Sequence, residues 1–265
     1  MTIREVMAVG RSGANLSLLL RFGLGWGAEP LGKRECRSEH VSRLLKAADA
    51  LATAEFANYK TLFDRWKKFA ECRATLKELR LRDRMQIGLG AVSVLDTNVT
   101  LHPLHGYPFI PGPSIKGALR AHFERKLVKL SSTAPAERKE EWSVLITELF
   151  GGTGLDMETA GALQIYDAWW VPSGNEGPLV REIDTPHHSK YYTGAAPLAT
   201  DFDDPVPINQ LAVRGAFLFA IDYQNIGKKW ASLCMDELSQ TLVENGLGGR
   251  TFAAGYGRFK KAEGA

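Results

Sequence analysis

The spacing of hydrophobic residues in the first third of the chain becomes helical near Ser38. Before it, residues 1–37 are rich in glycine with aromatic side chains between the glycines, a pattern typical of an irregular segment or strand. From Ser38 onward, apolar residues recur at steps of three and four without an intervening proline. The pattern therefore predicts a helical insertion over residues 38–84, formed by two helices or by one bent helix.

Beyond this insertion, patterns of strands and helices alternate. Met85–Leu95 is rich in β-branched and small residues and predicts a strand. The rest of the chain predicts helices over 114–130, 135–150 and 229–245, strands over 162–171, 210–222 and 255–261, and a long loop over 173–206.

The resulting order is strand, helix, strand, strand, helix, strand, with one additional helix, which is the β-α-β-β-α-β order of ferredoxin-like domains. We predict an α+β fold in which an antiparallel sheet carries helices on one face. Residues 85–261 form this core, and the whole chain, 1–265, is predicted to be one domain.

Composition places few limits on function. The chain has 265 residues, 45% of them hydrophobic, which is enough for a sizeable core. No apolar run approaches the roughly 20 residues that span a bilayer, so no membrane partner is expected. Three isolated cysteines, Cys36, Cys72 and Cys234, form no CxxC pair. They are typical of reduced thiols, and we expect a cytoplasmic protein.

Charge is distributed unevenly along the chain. Residues 1–85 contain 17 Lys and Arg against 10 Asp and Glu, whereas the remainder contains 16 against 20. This polarity indicates a nucleic acid or an acidic neighbour near the N-terminal part. Solvated charged helices explain the same balance equally well.

The segment 108–120, P-F-I-P-G-P-S-I-K-G-A-L-R, predicts a turn followed by a helix that opens at Ser114. A helix start exposes free N–H groups and partial positive charge, and Lys116 and Arg120 lie one turn apart on the same face. Phosphate is the natural ligand of such a site. Gly117 lies inside the helix, where glycine costs about 1 kcal/mol relative to alanine, which indicates a close backbone neighbour. A well-capped helix without a ligand is the alternative. The predicted ligand-binding residues are Gly112, Ser114, Lys116 and Arg120.

A second glycine-rich segment, G-L-G-G-R-T-F-A-A-G-Y-G-R-F, covers residues 246–259. It is not a dinucleotide fingerprint, because Thr251 stands where the third glycine belongs and no helix is expected to follow. Glycines allow backbone to approach a ligand, while arginines supply charge and aromatic rings supply stacking faces, a combination that suits single-stranded RNA. The predicted stacking faces are the rings of Phe252, Tyr256 and Phe259. A glycine-rich hairpin with packed aromatic rings is the alternative. The predicted RNA-binding residues are Gly248, Gly249, Arg250, Thr251, Tyr256 and Arg258.

Candidate catalytic and metal-binding residues are few. His102 and His105 have an HxxH spacing, but no further ligand pattern supports a metal site. His187 or His188 could act as the general base of metal-independent RNA cleavage, with Asp184 orienting the ring. A loop that docks on a neighbouring protein fits the same residues. The sequence therefore predicts no catalytic residue, no metal and no cofactor.

Together, the two glycine-bearing segments resemble the RAMP superfamily of CRISPR proteins. The first is similar to the motif I-P-G-S-S-x-K-G-x-x-R, and the second to the glycine-rich loop G-x-G-x-x-T/S-x-x-G-x-G. Four further segments resemble the sixth-subunit branch of the type III-B Cmr RNA-guided effector complex: residues 149–151, 161–168, 184–194 and 203–208.

This resemblance implies an RNA-recognition-type, non-catalytic backbone subunit that binds the guide RNA toward its 3′ end. Its partners would be the guide RNA, target RNA through the guide, and other RAMP subunits of the Cmr complex. Pro113 departs from the family pattern and removes one N–H donor, so phosphate contacts would depend more on Ser114 and Lys116. An endoribonuclease that processes precursor CRISPR RNA, and a scaffold that contacts only protein, are the alternatives.

Overall fold

The computed structural model describes residues 15–22, 34–50, 52, 57–91, 98–131, 135–153, 158–172, 176–185, 187–201, 203 and 208–260. The helices among them are α1 (Leu16–Phe22), α2 (Arg34–Ala50), α3 (Ala57–Glu71), α4 (Gly112–Ser131), α5 (Ala136–Phe150), α6 (Ser189–Tyr192), α7 (Gly227–Glu244) and α8 (Thr251–Ala254). The strands are β1 (Ala74–Arg80), β2 (Phe109–Ile110), β3 (Gly151–Thr153), β4 (Glu158–Ala160), β5 (Ala168–Val171), β6 (Leu179–Asp184), β7 (Ile208–Val213) and β8 (Ala216–Asp222).

The central sheet has the strand order β1-β8-β5-β2, and every neighbouring pair is antiparallel. Beyond β1, Leu81 forms an antiparallel bridge with Phe259. Helix α4 connects β1 to β5 across the sheet, and α7 leads from β8 to the Phe259 bridge. The predicted α+β fold with an antiparallel sheet is therefore confirmed. Its element order is consistent with a ferredoxin-like core, to which β2 adds a short edge strand.

The first strand of this core is β1, so the predicted strand Met85–Leu95 is wrong. Of that segment, residues 92–95 lie outside the described residues, and Gly88 breaks the strand geometry with a φ of +81°. The predicted helical insertion also ends earlier, because α3 stops at Glu71 and β1 follows directly. Pairing with the fully buried β8 outweighs the weak helical spacing of this charged segment.

Four other predicted elements differ from the structure, among them the predicted strand 162–171, of which only Ala168–Val171 forms a strand. The predicted strand 210–222 is two strands, since Gly215 turns the chain with a φ of +106°. The predicted loop 173–206 contains β6, which pairs with β7 from Leu179↔Val213 to Asp184↔Ile208. The predicted last strand, 255–261, is reduced among its described residues to the bridge at Phe259.

The chain forms two compact units. The first comprises residues 1–56, 86–107 and 174–214, and α2 packs there against the β6–β7 hairpin. The segment predicted to be irregular, residues 1–37, contains α1 and the first four residues of α2. Asn15 caps α1 through its side-chain oxygen, which accepts hydrogen bonds from the N–H groups of Ser17 and Leu18.

The second unit comprises residues 57–85, 108–173 and 215–265 and contains the central sheet. Helix α3 covers one face of the sheet: Trp66 stacks on Trp169 at a centroid distance of 4.9 Å, and Ala70 packs against Ala74. On the other face, Lys77 reaches Asp236 of α7 at 3.1 Å. The expectation that the helices lie on one face of the sheet is therefore wrong. The sheet face that RNA-recognition modules leave open for bases is thus occupied by protein at these positions. Nowhere in the described part of the chain is a helix long and apolar enough to cross a bilayer.

Candidate nucleic-acid interface

The start of α4 has its backbone donors engaged by the chain itself. The helix begins at Gly112, two residues before the predicted cap Ser114. The Gly112 N–H donates to the Asp167 carboxylate at 2.7 Å, and the Ser114 and Ile115 N–H groups donate to the Pro111 carbonyl at 3.0 and 3.2 Å. The expectation of several free donors is therefore wrong, because a neighbouring loop supplies the anion that this helix end attracts.

The two predicted cations of α4 also have internal partners. Lys116 Nζ donates to the Leu163 carbonyl at 2.9 Å. Arg120 donates through Nε to Glu124 at 2.8 Å and through Nη1 to the Gly151 carbonyl at 3.2 Å. Burial, and secondarily the charge of Arg120, lower the pKa of Lys116 below its ordinary value. A phosphate at this site would meet cations that are already partly compensated.

The glycine that permits a close backbone approach is Gly112, not Gly117. A Cβ on Gly112 would lie 2.5 Å from the Ile165 carbonyl oxygen, whereas a Cβ on Gly117 would meet no described atom within 4 Å. Gly117 is exposed, so nothing in the described residues requires glycine there.

The glycine-rich loop, residues 246–259, is built on left-handed backbone. Gly246, Gly248, Gly255 and Gly257 have positive φ angles, as does Arg250 at 55°, the one non-glycine residue in the described chain to do so. The Leu247 N–H donates to the Gly257 carbonyl at 2.9 Å and closes the loop. One turn of helix, α8, follows Arg250, contrary to the expectation that no helix would follow.

Side chains of this loop separate into core and surface. Phe259 is 2% exposed and packs edge-to-face on Phe219 at 5.5 Å, so its prediction as a stacking face for bases is wrong. Tyr256 is partly exposed and Arg250 is exposed. Arg258 is partly exposed, but its Nε is buried and has no hydrogen-bond partner among the described atoms. The Phe252 side chain lies outside the described residues.

The register of the sheet places the two predicted segments at opposite ends of β1. Ala74 pairs with Asp222 at one end and Arg80 with Ala216 at the other. The α4 start lies by Ile165, which bridges to Ile221, and hence at the Asp222 end. The glycine-rich loop lies beyond the Arg80 end, roughly 20 Å away along the strand. The structure does not bring the two segments together.

A row of four cations lies beside the loop, and only one of them, Arg258, is among the residues predicted from the sequence. Lys260 N–H donates to the Arg80 carbonyl at 2.8 Å, and Arg82 N–H donates to the Arg258 carbonyl at 2.7 Å. These four residues, which we call the basic edge, flank the buried pair Leu81 and Phe259. The alternation R-L-R-D-R over residues 80–84 was the available signal, since strand spacing places alternate residues on one side.

The histidines of the 187–203 loop form a different arrangement from the one predicted. His188 Nδ1 lies 3.0 Å from Asp203 Oδ2, and the Thr200 N–H also reaches this carboxylate at 3.3 Å. These hydrogen bonds, that of His188 foremost, lower the pKa of Asp203. Asp184, the predicted orienting group, instead accepts a hydrogen bond from Gln210 at 3.3 Å.

The other histidines have structural contacts. The rings of His102 and His105 stack at 4.7 Å, and His122 lies 2.7 Å from Glu237. Among residues with described positions, no cluster of three or more His, Cys, Asp or Glu side chains is arranged to hold a metal ion.

Comparison with known proteins links the central sheet to one family. Residues 78–260 match the RAMP superfamily. The match begins seven residues before the predicted core start at Met85 and therefore includes the Arg80–Arg84 segment.

Two relatives extend the similarity over most of the chain. The CRISPR system CMR subunit Cmr6 of Saccharolobus solfataricus is 29% identical over 239 residues, 87% of this chain and 71% of that protein. The Cmr6 subunit of Pyrococcus furiosus is 24% identical over 225 residues, 68% of this chain and 66%, just under two thirds, of that protein.

A solved structure supports the same fold. A chain of the cryo-EM structure of type III-B Cmr-beta bound to cognate target RNA superposes with a TM-score of 0.53. It is 18% identical in sequence, and the match covers 97% of this chain and 85% of that one.

Proposed function

Because this chain belongs to the RAMP superfamily, we propose that it is a non-catalytic subunit of a type III-B Cmr effector complex that binds guide RNA toward its 3′ end. Its partners are the guide RNA, target RNA through the guide, and neighbouring RAMP subunits. The Cmr6 relatives support the complex, since both are subunits of that assembly by name.

The observation that carries the proposal is the geometry of the glycine-rich loop. Residues with positive φ hold an open backbone turn, and Gly248 and Arg250 at its tip are exposed. Such a turn admits a phosphodiester backbone without side-chain obstruction, and the arginines neutralise its charge. Gly249 and Thr251 shape the same turn, and Tyr256 offers a partly exposed ring for a base.

We propose that the α4 start also contacts RNA phosphates, but more weakly than the glycine-rich loop does. Arg120 is 44% exposed beside Glu124 and can add hydrogen bonds to a phosphate through its remaining donors. Ser114 is exposed, whereas Lys116 is partly buried. Since phosphate contacts position RNA without reading its sequence, binding is expected to be salt-dependent and weakly sequence-specific.

RNA-binding measurements on the full chain test this proposal directly. Fluorescence anisotropy with a labelled single-stranded RNA of about 30 nucleotides is expected to show binding that weakens steeply with salt. Arg250→Gln/Arg258→Gln removes two phosphate contacts and is expected to weaken binding on the order of 20-fold near 0.1 M salt.

The matched control is Lys68→Gln/Lys229→Gln, which removes two charges from exposed helix positions on α3 and α7. It is expected to change affinity by less than about 3-fold. Absence of RNA binding by the wild-type chain, alone and co-purified with its neighbouring subunits, would reject the proposed RNA-binding role.

A second candidate function, metal-independent RNA cleavage, is favoured by the His188–Asp203 pair. A carboxylate held against Nδ1 fixes the ring and leaves Nε2 to accept a proton from a ribose hydroxyl. Incubating the chain with CRISPR repeat RNA in EDTA tests it. Specific cleavage that His188→Ala abolishes and His187→Ala retains would establish this function and replace the non-catalytic one.

A further inference from the structure

We infer that the basic edge is an RNA-binding track that accepts the backbone of a single strand and extends the glycine-rich loop along the margin of the sheet. The inference rests on the proposed RNA-binding function. It adds Arg80, Arg82 and Lys260 to the residues that contact RNA and assigns phosphodiester backbone, not base, as their ligand.

Strand pairing places four cations on one side of a two-stranded ribbon. Leu81 and Phe259 form an antiparallel bridge and are 3% and 2% exposed, so both point into the core. Their neighbours on either side therefore lie on the opposite side of the ribbon, where Arg80, Arg82 and Lys260 are exposed and Arg258 is partly exposed. Arg80 stands opposite Lys260, and Arg82 stands opposite Arg258.

This arrangement is unfavourable for the folded chain alone. Cβ atoms of directly opposite residues are about 5 Å apart, and like charges at such positions destabilise a sheet. No described carboxylate lies within ion-pair distance of Arg80, Arg82 or Lys260, and all three side chains are exposed. The nearby Asp83 carboxylate contacts Arg84 at 3.4 Å instead. A polyanion removes the repulsion between the opposed pairs.

Helix α3 leaves this part of the sheet uncovered. At the Ala74 end of β1 the helix packs through Ala70, and it then crosses toward β5, where the Tyr59 hydroxyl donates to the Trp170 carbonyl. Arg80, at the opposite end of β1, is exposed. The cations consequently lie on an accessible surface next to the glycine-rich loop.

Spacing along the ribbon suits a nucleic-acid backbone. Successive same-side residues on a strand are roughly 7 Å apart, comparable to the separation of successive phosphates in an extended single strand. Three of the four cations are arginines, whose planar guanidinium donates two parallel hydrogen bonds to one phosphate. The loop and the ribbon are continuous through Gly257, whose N–H donates to the Arg84 carbonyl at 2.6 Å.

The test compares salt dependence among charge variants of the full chain, with a labelled single-stranded RNA of mixed sequence, about 20 nucleotides long. Arg80→Gln/Arg82→Gln/Lys260→Gln is expected to reduce the slope of log affinity against log salt by about 2. Near 0.1 M salt this corresponds to a loss on the order of 100-fold.

Two further variants keep the test decisive. Lys60→Gln/Lys68→Gln/Lys229→Gln removes the same charge from exposed positions elsewhere and is expected to retain the wild-type slope to within about 0.5. Arg80→Lys/Arg82→Lys keeps the charge and is expected to retain most of the slope, which separates electrostatic loss from misfolding.

The outcomes distinguish the inference from the function on which it rests. Wild-type binding with unchanged affinity and slope in the Arg80/Arg82/Lys260 variant overturns the inference alone and leaves an acidic protein surface as the counterpart of the basic edge. No RNA binding by the wild type overturns both.

Discussion

Both ends of strand β1 carry cationic side chains, but the positive charge is compensated by carboxylates of the chain at one end only. At the Asp222 end, Arg73 pairs with the buried Asp222 at 3.1 Å, and Asp167 occupies the α4 start. At the Arg80 end, the basic edge faces outward, with Asp83 and the exposed Glu78, on the same side of β1 as Arg80, as nearby acids. The first end is neutralised within the chain, whereas at the second no described carboxylate lies within ion-pair distance of Arg80, Arg82 or Lys260. A phosphate-type motif therefore predicts ligand binding only where its charges are not already compensated.

The two ends of β1 also differ in how closely the chain packs around them. Around Asp222, hydrogen bonds from the Tyr166 hydroxyl at 2.6 Å and the Gln224 N–H at 2.7 Å add to the Arg73 contact. Burial alone would raise the pKa of Asp222, but these hydrogen bonds outweigh it and lower the pKa. The glycine-rich loop instead depends on left-handed residues that leave its tip exposed. The Asp222 end of β1 is therefore a buried, hydrogen-bonded part of the core, whereas the loop beyond the Arg80 end is exposed to solvent.

The largest difference that we expect between the two ends is in the free energy of unfolding when a glycine is replaced by alanine. A Cβ on Gly257 would lie far inside van der Waals distance of the Leu247 carbonyl oxygen, at a φ of +68°. Gly257→Ala is expected to lower the free energy of unfolding by about 3 kcal/mol, measured by urea denaturation.

The control for Gly257 is Gly255→Ala, at a φ of +74° with no described atom within 4 Å of the new Cβ. It is expected to cost only about 1–2 kcal/mol, the backbone strain alone. Gly117→Ala, at the other end, is expected to stabilise the chain by up to about 1 kcal/mol. Equal effects of all three substitutions would contradict the distinction between the two ends.

An intermediate effect is expected where Asp167 neutralises the α4 start. Asp167→Asn keeps a hydrogen-bond acceptor for Gly112 but removes the charge that favours the helix end. The free energy of unfolding is expected to fall by about 0.5–1 kcal/mol in urea denaturation. RNA affinity is expected to rise less than about 3-fold, because Lys116 and Arg120 keep their hydrogen bonds to other groups of the chain.

Asp64→Asn changes the net charge equally at an exposed position of α3 and provides the control for Asp167. A tenfold or larger gain in RNA affinity with Asp167→Asn alone would make the α4 start the principal anion site and reverse the ranking of the two ends.

The smallest effect on RNA binding is expected from the two cations of the α4 start, Lys116 and Arg120. Lys116→Gln/Arg120→Gln is expected to weaken RNA binding by about 3-fold and to reduce the salt slope by less than 1 in anisotropy titrations, since both side chains already donate to chain acceptors. A loss as large as that of the basic-edge variant would show that internal hydrogen bonds do not weaken the site. Wild-type affinity would remove the α4 start from the RNA interface.

Much of the fold could be predicted from local pattern. The helix prediction 229–245 corresponds to α7, and that for 135–150 to α5, which ends at Gly151 with a φ of +86°. Both helices have well-spaced apolar residues, which a single sequence displays directly. Strand β1 could not be predicted in this way, because its charged sequence continues a helical segment and only pairing with β8 makes it a strand.

The sequence by itself determined the family, the order of the core elements and the two glycine-bearing segments, because these depend on short stretches of residues with restricted backbone chemistry. Tertiary structure alone decided which cations are available. Asp167 reaches Gly112 from a distant part of the chain, and strand pairing places Arg80 and Arg82 opposite Lys260 and Arg258. Charge compensation depends on distance in space, which sequence separation does not reveal.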